Sequence, residues 1–258
     1  MTKISLPQNS KFTIGNYFKS NNVQKIKKIN VYRWNPDKKL NPSIDTFEID
    51  LDKCGQMVLD ALMLIKDEID PTLTFRKSCR EGVCGSCSMN IDGRNTLACQ
   101  KNMKEIKGDI NIFPLTHLPV IKDLVVDLSH AFKQLEFIDP WLKSNNEKSS
   151  NIEQLQSAND RSKIDGLWEC ILCFSCTTSC ISYWWNGEKY LGPAILLQAA
   201  RWVNDSRDKE KKRRLRHIEK NSNIHNCHSI MNCANSCPKG LNPAKAINNL
   251  KKQIATNI

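Results

Sequence analysis

All twelve cysteines but Cys54 fall into three tight groups, and their spacing is that of metal-cluster ligands. The first group is Cys79, Cys84, Cys87 and Cys99, a Cys-x4-Cys-x2-Cys run with a distant fourth thiol. That is the plant-type pattern for a 2Fe-2S cluster, in which one loop supplies three thiolates and a separate strand the fourth. Gly82 and Gly85 let the backbone come close to sulfur and donate amide hydrogen bonds, and Arg76, Lys77 and Arg80 offset the thiolate charge. Zinc is the competing ligand, but zinc sites favour paired short spacings.

The second group, Cys170-x2-Cys173-x2-Cys176-x3-Cys180, is the bacterial ferredoxin run. Its first three thiolates hold one cubane and its fourth reaches a second cluster. The third group repeats that run with one change. Cys227, Cys233 and Cys237-Pro238 keep the spacing, while Ile230 stands at the second cysteine's place. Exchange of the fourth ligands gives Cys170, Cys173, Cys176 and Cys237 to a 4Fe-4S cluster. It leaves Cys180, Cys227 and Cys233 for a centre with one corner lacking a thiolate. A 3Fe-4S cluster is the expected occupant, with a raised reduction potential; a cubane completed by water is the alternative.

The elements around these groups read as two regions. Ile29–Trp34 and Phe47–Leu51 alternate as strands, separated by a turn-rich stretch from Asn35 to Ser43. Val58, Leu59, Leu62, Ile65 and Ile69 have helical spacing, ended by Asp70-Pro71. Met89–Leu97 reads as a hairpin about Asp92-Gly93, and Ile110 and Ile112 as a last strand. Leu124, Val125, Leu128, Phe132, Leu135 and Ile138 then predict an amphipathic helix. Residues 143–163 read as a connection, and helices follow from Pro193 and over Pro243–Ile254. The expected class is α+β, with a small mixed sheet folded over one helix followed by an all-helical region. Boundaries fall at 1–27 for a solvated N-terminal arm, 28–122 for the first domain and 123–258 for the second.

Composition narrows the classes. The chain has 258 residues and is 40% hydrophobic, enough for packed cores. Its longest apolar run, Ala61–Ile65, is far short of the roughly 20 residues of a membrane span. The text contains no secretory leader, which argues against a disulfide framework. The net charge of +11 permits an anionic partner. The basic stretch Lys209, Lys211, Lys212, Arg213, Arg214 and Arg216 is broken by Asp208 and Glu210 and lacks aromatics. It is read as a solvated helix face rather than a nucleic-acid site. Cys54 is read as structural, and His117, His130, His217 and His225 are given no role.

The motifs together resemble the iron–sulfur subunits of succinate dehydrogenase, respiratory complex II. The resemblance runs from about Lys28 to Leu250. It is carried by Ser78-Cys79-Arg80-Glu81-Gly82-Val83-Cys84-Gly85-Ser86-Cys87, by Glu169-Cys170-Ile171-Leu172-Cys173, by Ser182-Tyr183-Trp184-Trp185-Asn186 and by Cys227-His228-Ser229-Ile230-Met231-Asn232-Cys233 continuing to Pro243. Fumarate reductase iron–sulfur subunits are the nearest similar family, and the direction of catalysis is not legible.

The resemblance implies an N-terminal β-grasp, plant-type ferredoxin domain and a helical domain like bacterial ferredoxins. It implies three clusters in a line, passing electrons singly from the FAD of a flavoprotein partner to ubiquinone. The setting would be the tricarboxylic acid cycle and the aerobic respiratory chain, with succinate oxidation itself in the flavoprotein. Membrane-anchor subunits of cytochrome b type are the other implied partners. Ser182, Trp185, His228 and Ile230 match the family's quinone pocket. Ile181 departs from a family proline there. The implied location is peripheral, on the matrix side of the mitochondrial inner membrane or the cytoplasmic face of a bacterial one.

Overall fold

The computed structural model describes residues 11–20, 25–38, 40–144 and 153–257. Parts of the expected arm, residues 1–10 and 21–24, and of the expected connection, 145–152, lie outside them. The chain divides into two compact units, Met1–Asp127 and Leu128–Ile258.

In the first unit, strands β1 (Thr13–Phe18), β2 (Ile26–Arg33) and β3 (Ser43–Asp50) precede helix α1 (Val58–Leu64), which continues as a π turn, Ile65–Ile69. Strands β4 (Ser88–Ile91), β5 (Arg94–Leu97), β6 (Ile110–Phe113), β7 (Val120–Lys122) and β8 (Val125–Val126) follow. Six of them form one mixed sheet in the order β1-β3-β2-β6-β4-β5, with β7 and β8 as a separate hairpin. Alternation puts Ile29 and Val31 of β2, Phe47 and Ile49 of β3, and Ile110 and Ile112 of β6 fully inside, together with Val58, Leu59, Leu62 and Ile65 of the helix. The β4–β5 hairpin turns at Asp92 and Gly93, both at positive φ (48° and 77°), as a two-residue turn requires.

Two expectations are corrected here. The segment read as a solvated arm is partly a sheet strand. Thr13–Phe18 pairs parallel with β3, the Asn16 amide donates to Asp45 Oδ1 at 2.7 Å, and Phe18 stacks on Phe47 with ring centroids 4.6 Å apart. β2 likewise begins at Ile26, inside the supposed arm. The helix expected from Leu124 starts only at Ser129, because Val125 and Val126 pair in a hairpin, and Asp123, at φ 46°, makes its turn. Asp123 is buried and is held by the Arg33 side chain and by the amides of Trp34 and Thr74. The units therefore part after Asp127, later than the 122/123 boundary read from the sequence.

The second unit is helical: α2 (Ser129–Phe137), α3 (Ala158–Ser162), α4 (Ser175–Thr178), α5 (Ile181–Asn186), α6 (Gly192–Asn204), α7 (Lys211–Asn221), α8 (Asn232–Asn235) and α9 (Pro243–Asn257). Helix α6 is buried on nearly every side and forms the centre of the core, as its apolar sequence requires. Pro193 opens it, and Gly192 before it is obligatory. Its φ is +77°, and a Cβ there would come within 2.8 Å of the Tyr183 ring. The basic stretch forms α7, but not as a wholly solvated face. Arg214 is buried, paired with buried Asp208 at 2.9 Å, and donates to the carbonyls of Ile138, Asp139 and Trp141. Its work is to fasten the chain that follows α2.

Candidate metal centres

The first centre lies in the irregular loop between the π turn and β4. Arg80, Gly82 and Gly85 all adopt positive φ, 66°, 75° and 72°, and curl the loop so that its amides face inward. The amides of Val83 and Cys84 donate to Cys79 Sγ at 3.4 and 3.3 Å, and that of Ser86 to Cys84 Sγ at 3.5 Å. These are the donors that hold charge on cluster sulfur. Cys87 and Cys99 are buried, one beginning and one ending the hairpin's two arms; Cys84 lies on the outer loop. The Ser86 hydroxyl, with nearby amides, outweighs burial and brings the Cys84 thiol down to about 6. Burial pushes the Cys87 thiol up to about 12. The Arg76 guanidinium donates to the Val126 carbonyl at 2.8 Å and so also braces the β7–β8 hairpin.

The other two groups separate into two cavities. Cys170, Cys173, Cys176 and Cys237 line one, with Pro238 beside them. Cys180, Cys227 and Cys233 line the other, together with Ile181, Ser182, Tyr190, His228 and Ile230. The fold thus brings Cys237 beside the Cys170 group and Cys180 beside the Cys227 group.

The backbone explains this. Leu172 and Phe174, flanking Cys173, are at φ 52° and 59°. Ser229 and Met231, flanking Ile230, are at 56° and 72°. Each loop then enters a four-residue helix, α4 or α8. Left-handed non-glycine residues are uncommon, and two pairs of them in identical register show a true structural repeat. Both loops therefore turn their side chains around a cavity in the same way.

Burial is the main influence on these thiols. It raises Cys170, Cys173 and Cys180, takes Cys233 up to about 11 and Cys176 well above its ordinary value. Amides work against it: Leu172 toward Cys170, Ser175 toward Cys173, Tyr183 and Ser182 toward Cys180, and Ala234 and Ala244 toward Cys233. Such thiols keep their protons until a metal displaces them, and then have N–H donors ready for the anion. Among the described residues no three Cys, His, Asp or Glu converge closely enough to hold a single metal ion. Thiols spread around a cavity suit the corners of a polynuclear cluster.

Of the four residues matched to a quinone pocket, Ser182, His228 and Ile230 line the second cavity, and Trp185 does not. Trp185 is 81% exposed and lies one turn along α5 from cavity-lining Ile181. Trp184 turns inward, donating to the Thr178 carbonyl at 2.7 Å, and Trp202 is buried beneath Arg201 at 4.5 Å. Two further contributors carry no spacing signal. Lys251 of α9 donates to the Cys227 carbonyl at 2.7 Å, and Tyr190 places a buried hydroxyl at the cavity.

Comparison with known proteins agrees with this arrangement. Residues 28–133 match the family of 2Fe-2S iron-sulfur cluster binding domains, and residues 169–242 the 4Fe-4S dicluster domain. The succinate dehydrogenase iron-sulfur subunit of Paracoccus denitrificans is 54% identical over 259 residues, covering all of both chains. A chain of the Mycobacterium smegmatis Sdh1 complex, solved in its apo form, has the same fold. Its TM-score is 0.80 at 23% identity, over 89% of this chain and 95% of that one. A hypothetical protein from Helicobacter pylori is similar more loosely, with a TM-score of 0.54 at 17% identity over 90% of this chain and 40% of that one.

Proposed function

We propose that this chain, which belongs to the family of succinate dehydrogenase iron–sulfur subunits, relays electrons singly from a flavoprotein partner to ubiquinone through a 2Fe-2S, a 4Fe-4S and a 3Fe-4S centre. The observation that carries this reading is the sorting of seven helical-unit thiols into one ring of four and one of three, with Ile230 in the register of Cys173. Cys79, Cys84, Cys87 and Cys99 would hold the first centre. Cys170, Cys173, Cys176 and Cys237 would hold the second, and Cys180, Cys227 and Cys233 the third.

When bound, such clusters accept and release one electron at a time at potentials set by their surroundings. The chain's part is to bury the thiolates, aim amides at sulfur and space the charges. At the third cavity it also supplies a polar rim. Ser182 is an O–H donor there and His228 an exposed imidazole, able to hold or pass a proton. The indole N–H of Trp185 is a further donor for a quinone carbonyl.

Beside these polar groups, Ile181, Trp185, Ile230 and Met231 are all exposed. An apolar rim at a cavity that must exchange electrons with a lipid-soluble acceptor supports docking on membrane-anchor subunits. Among the described residues no helix is long and apolar enough to cross a membrane. The location proposed is therefore peripheral, on the matrix face of a mitochondrial inner membrane or its bacterial cytoplasmic equivalent.

Electron paramagnetic resonance during stepwise reduction of the assembled complex tests the reading. A three-iron signal in the oxidised state, then two further centres on reduction, is expected. Two complete cubanes, or no paramagnetic iron, would overturn it.

A further inference from the structure

Tyr190 lines the third cavity and is fully buried, with 0% of its surface exposed. Its hydroxyl has no hydrogen-bond partner. The groups that face it are the thiols of Cys180, Cys227 and Cys233, with Cys227 near enough for a weak contact. A buried hydroxyl left unpaired is costly, so nearly all find a partner. The other buried tyrosine of this region shows the usual arrangement: Tyr183 donates to Gln134 Oε1 at 3.0 Å.

The main chain at Tyr190 is tied down and its ring is wholly enclosed. Its amide donates to the Asn186 carbonyl at 2.8 Å, and its carbonyl accepts from Gln134. Two residues on, Gly192 fits its Cα against the Tyr183 ring. The phenol thus sits at the edge of a space lined by three thiols, its proton facing Cys227 but without a formed hydrogen bond. What the cavity is built to hold is anionic sulfur.

We propose that Tyr190 is a positioning and tuning residue of the third centre, donating its O–H to a cluster or Cys227 sulfur. The inference rests on the cluster assignment above. A hydrogen bond to sulfur stabilises the state with more negative charge, which is the reduced one. One electron enters and no bond is made or broken. The hydroxyl therefore raises the reduction potential, adding to the effect of the missing fourth thiolate.

The test is Tyr190→Phe in the intact complex, with Tyr183→Phe as a matched control that loses a hydroxyl already paired elsewhere. The wild-type oxidised spectrum first types the centre, so failure of the cluster assignment is seen separately. The potential of the third centre is then titrated. Tyr190→Phe should lower the one-electron reduction equilibrium about tenfold, which is about 59 mV, and Tyr183→Phe should leave it in place. Electron–nuclear double resonance should show one exchangeable proton fewer at the centre in Tyr190→Phe. An unchanged potential and proton spectrum in a variant that retains its cluster would overturn the proposal. An equal shift in both variants would do so too, by showing a packing effect.

Discussion

Ile230 stands in its loop where Cys173 stands in the preceding one: each lies between two left-handed residues and one residue-pair ahead of a four-residue helix. Cys173 is buried and Ile230 is half exposed, yet the backbone course is shared. A thiol placed at 230 would therefore meet the third cavity as Cys173 meets the second. Ile230→Cys should add one iron per chain, replace the oxidised three-iron signal by a cubane signal on reduction, and lower that centre's potential. Iron analysis with paramagnetic resonance checks this. An unchanged iron content and spectrum would show that the corner is closed by something other than side-chain chemistry.

The first loop carries thiols of opposite character. Ser86 and nearby amides bring Cys84 down to about 6, and burial takes Cys87 up to about 12. After iron is removed by chelation under reducing conditions, Cys84 should alkylate with half its maximal rate near pH 6. Cys87 should remain almost unlabelled through pH 9. Mass-spectrometric mapping of iodoacetamide adducts reads both. Ser86→Ala should move the Cys84 midpoint upward, because it removes the largest stabiliser of the thiolate.

Arg33 holds the first unit together by charge. Its guanidinium reaches Asp45 at 3.0 Å and Asp123 at 3.2 Å and pairs with Asp70, all four side chains having little exposure, and it also touches the exposed Thr72 hydroxyl. Burial favours a raised Asp70 carboxyl, but Thr72 and Arg33 outweigh it and hold it below its usual range. For Asp45 burial wins, and the carboxyl is raised. Arg33→Met leaves three carboxylates without their cation and should cost about 3–5 kcal/mol at pH 7. The sign with pH follows from the carboxyls left behind. Unpaired, they are raised in the folded state, so protonation favours folding and the deficit shrinks as pH falls from 7 toward 5. Urea unfolding of the full chain at the two pH values reads this, and a deficit that grows with acid would contradict it.

His228 is exposed on the loop that carries Ile230 and borders the third cavity. If it delivers a proton during quinone reduction, His228→Ala should slow that step by about 10²-fold, as for loss of a general acid. Succinate oxidation with an artificial acceptor should hold its rate. Equal loss of both activities would place the residue in assembly instead.

The grouping of the helical unit's thiols around two cavities was legible because cluster spacing is a local property. Chelating loops need their thiols within a few residues, and the swapped fourth cysteine is part of the same short pattern. The core strands were legible from period-two alternation at Ile29 and Val31 and at Phe47 and Ile49. Thr13–Phe18 was not, since its partner is a strand thirty residues away and its polar, glycine-containing text resembles a loop. The helix drawn through Val125 failed for a similar reason. Helical spacing across 124–138 was real, but Asp123 is held by Arg33 from β2, and no local pattern reports that bond. Tyr190 was missed because an unpaired hydroxyl is a fact about a cavity, not a sequence interval.

Helix α9 completes the third cavity although it supplies none of its thiols: Lys251 holds the Cys227 carbonyl, and the Ala244 amide serves Cys233. Undocking that one helix would strip the Cys227 loop of its anchor and Cys233 of an N–H donor together, so the third centre depends on a packing contact outside its own ligand loops.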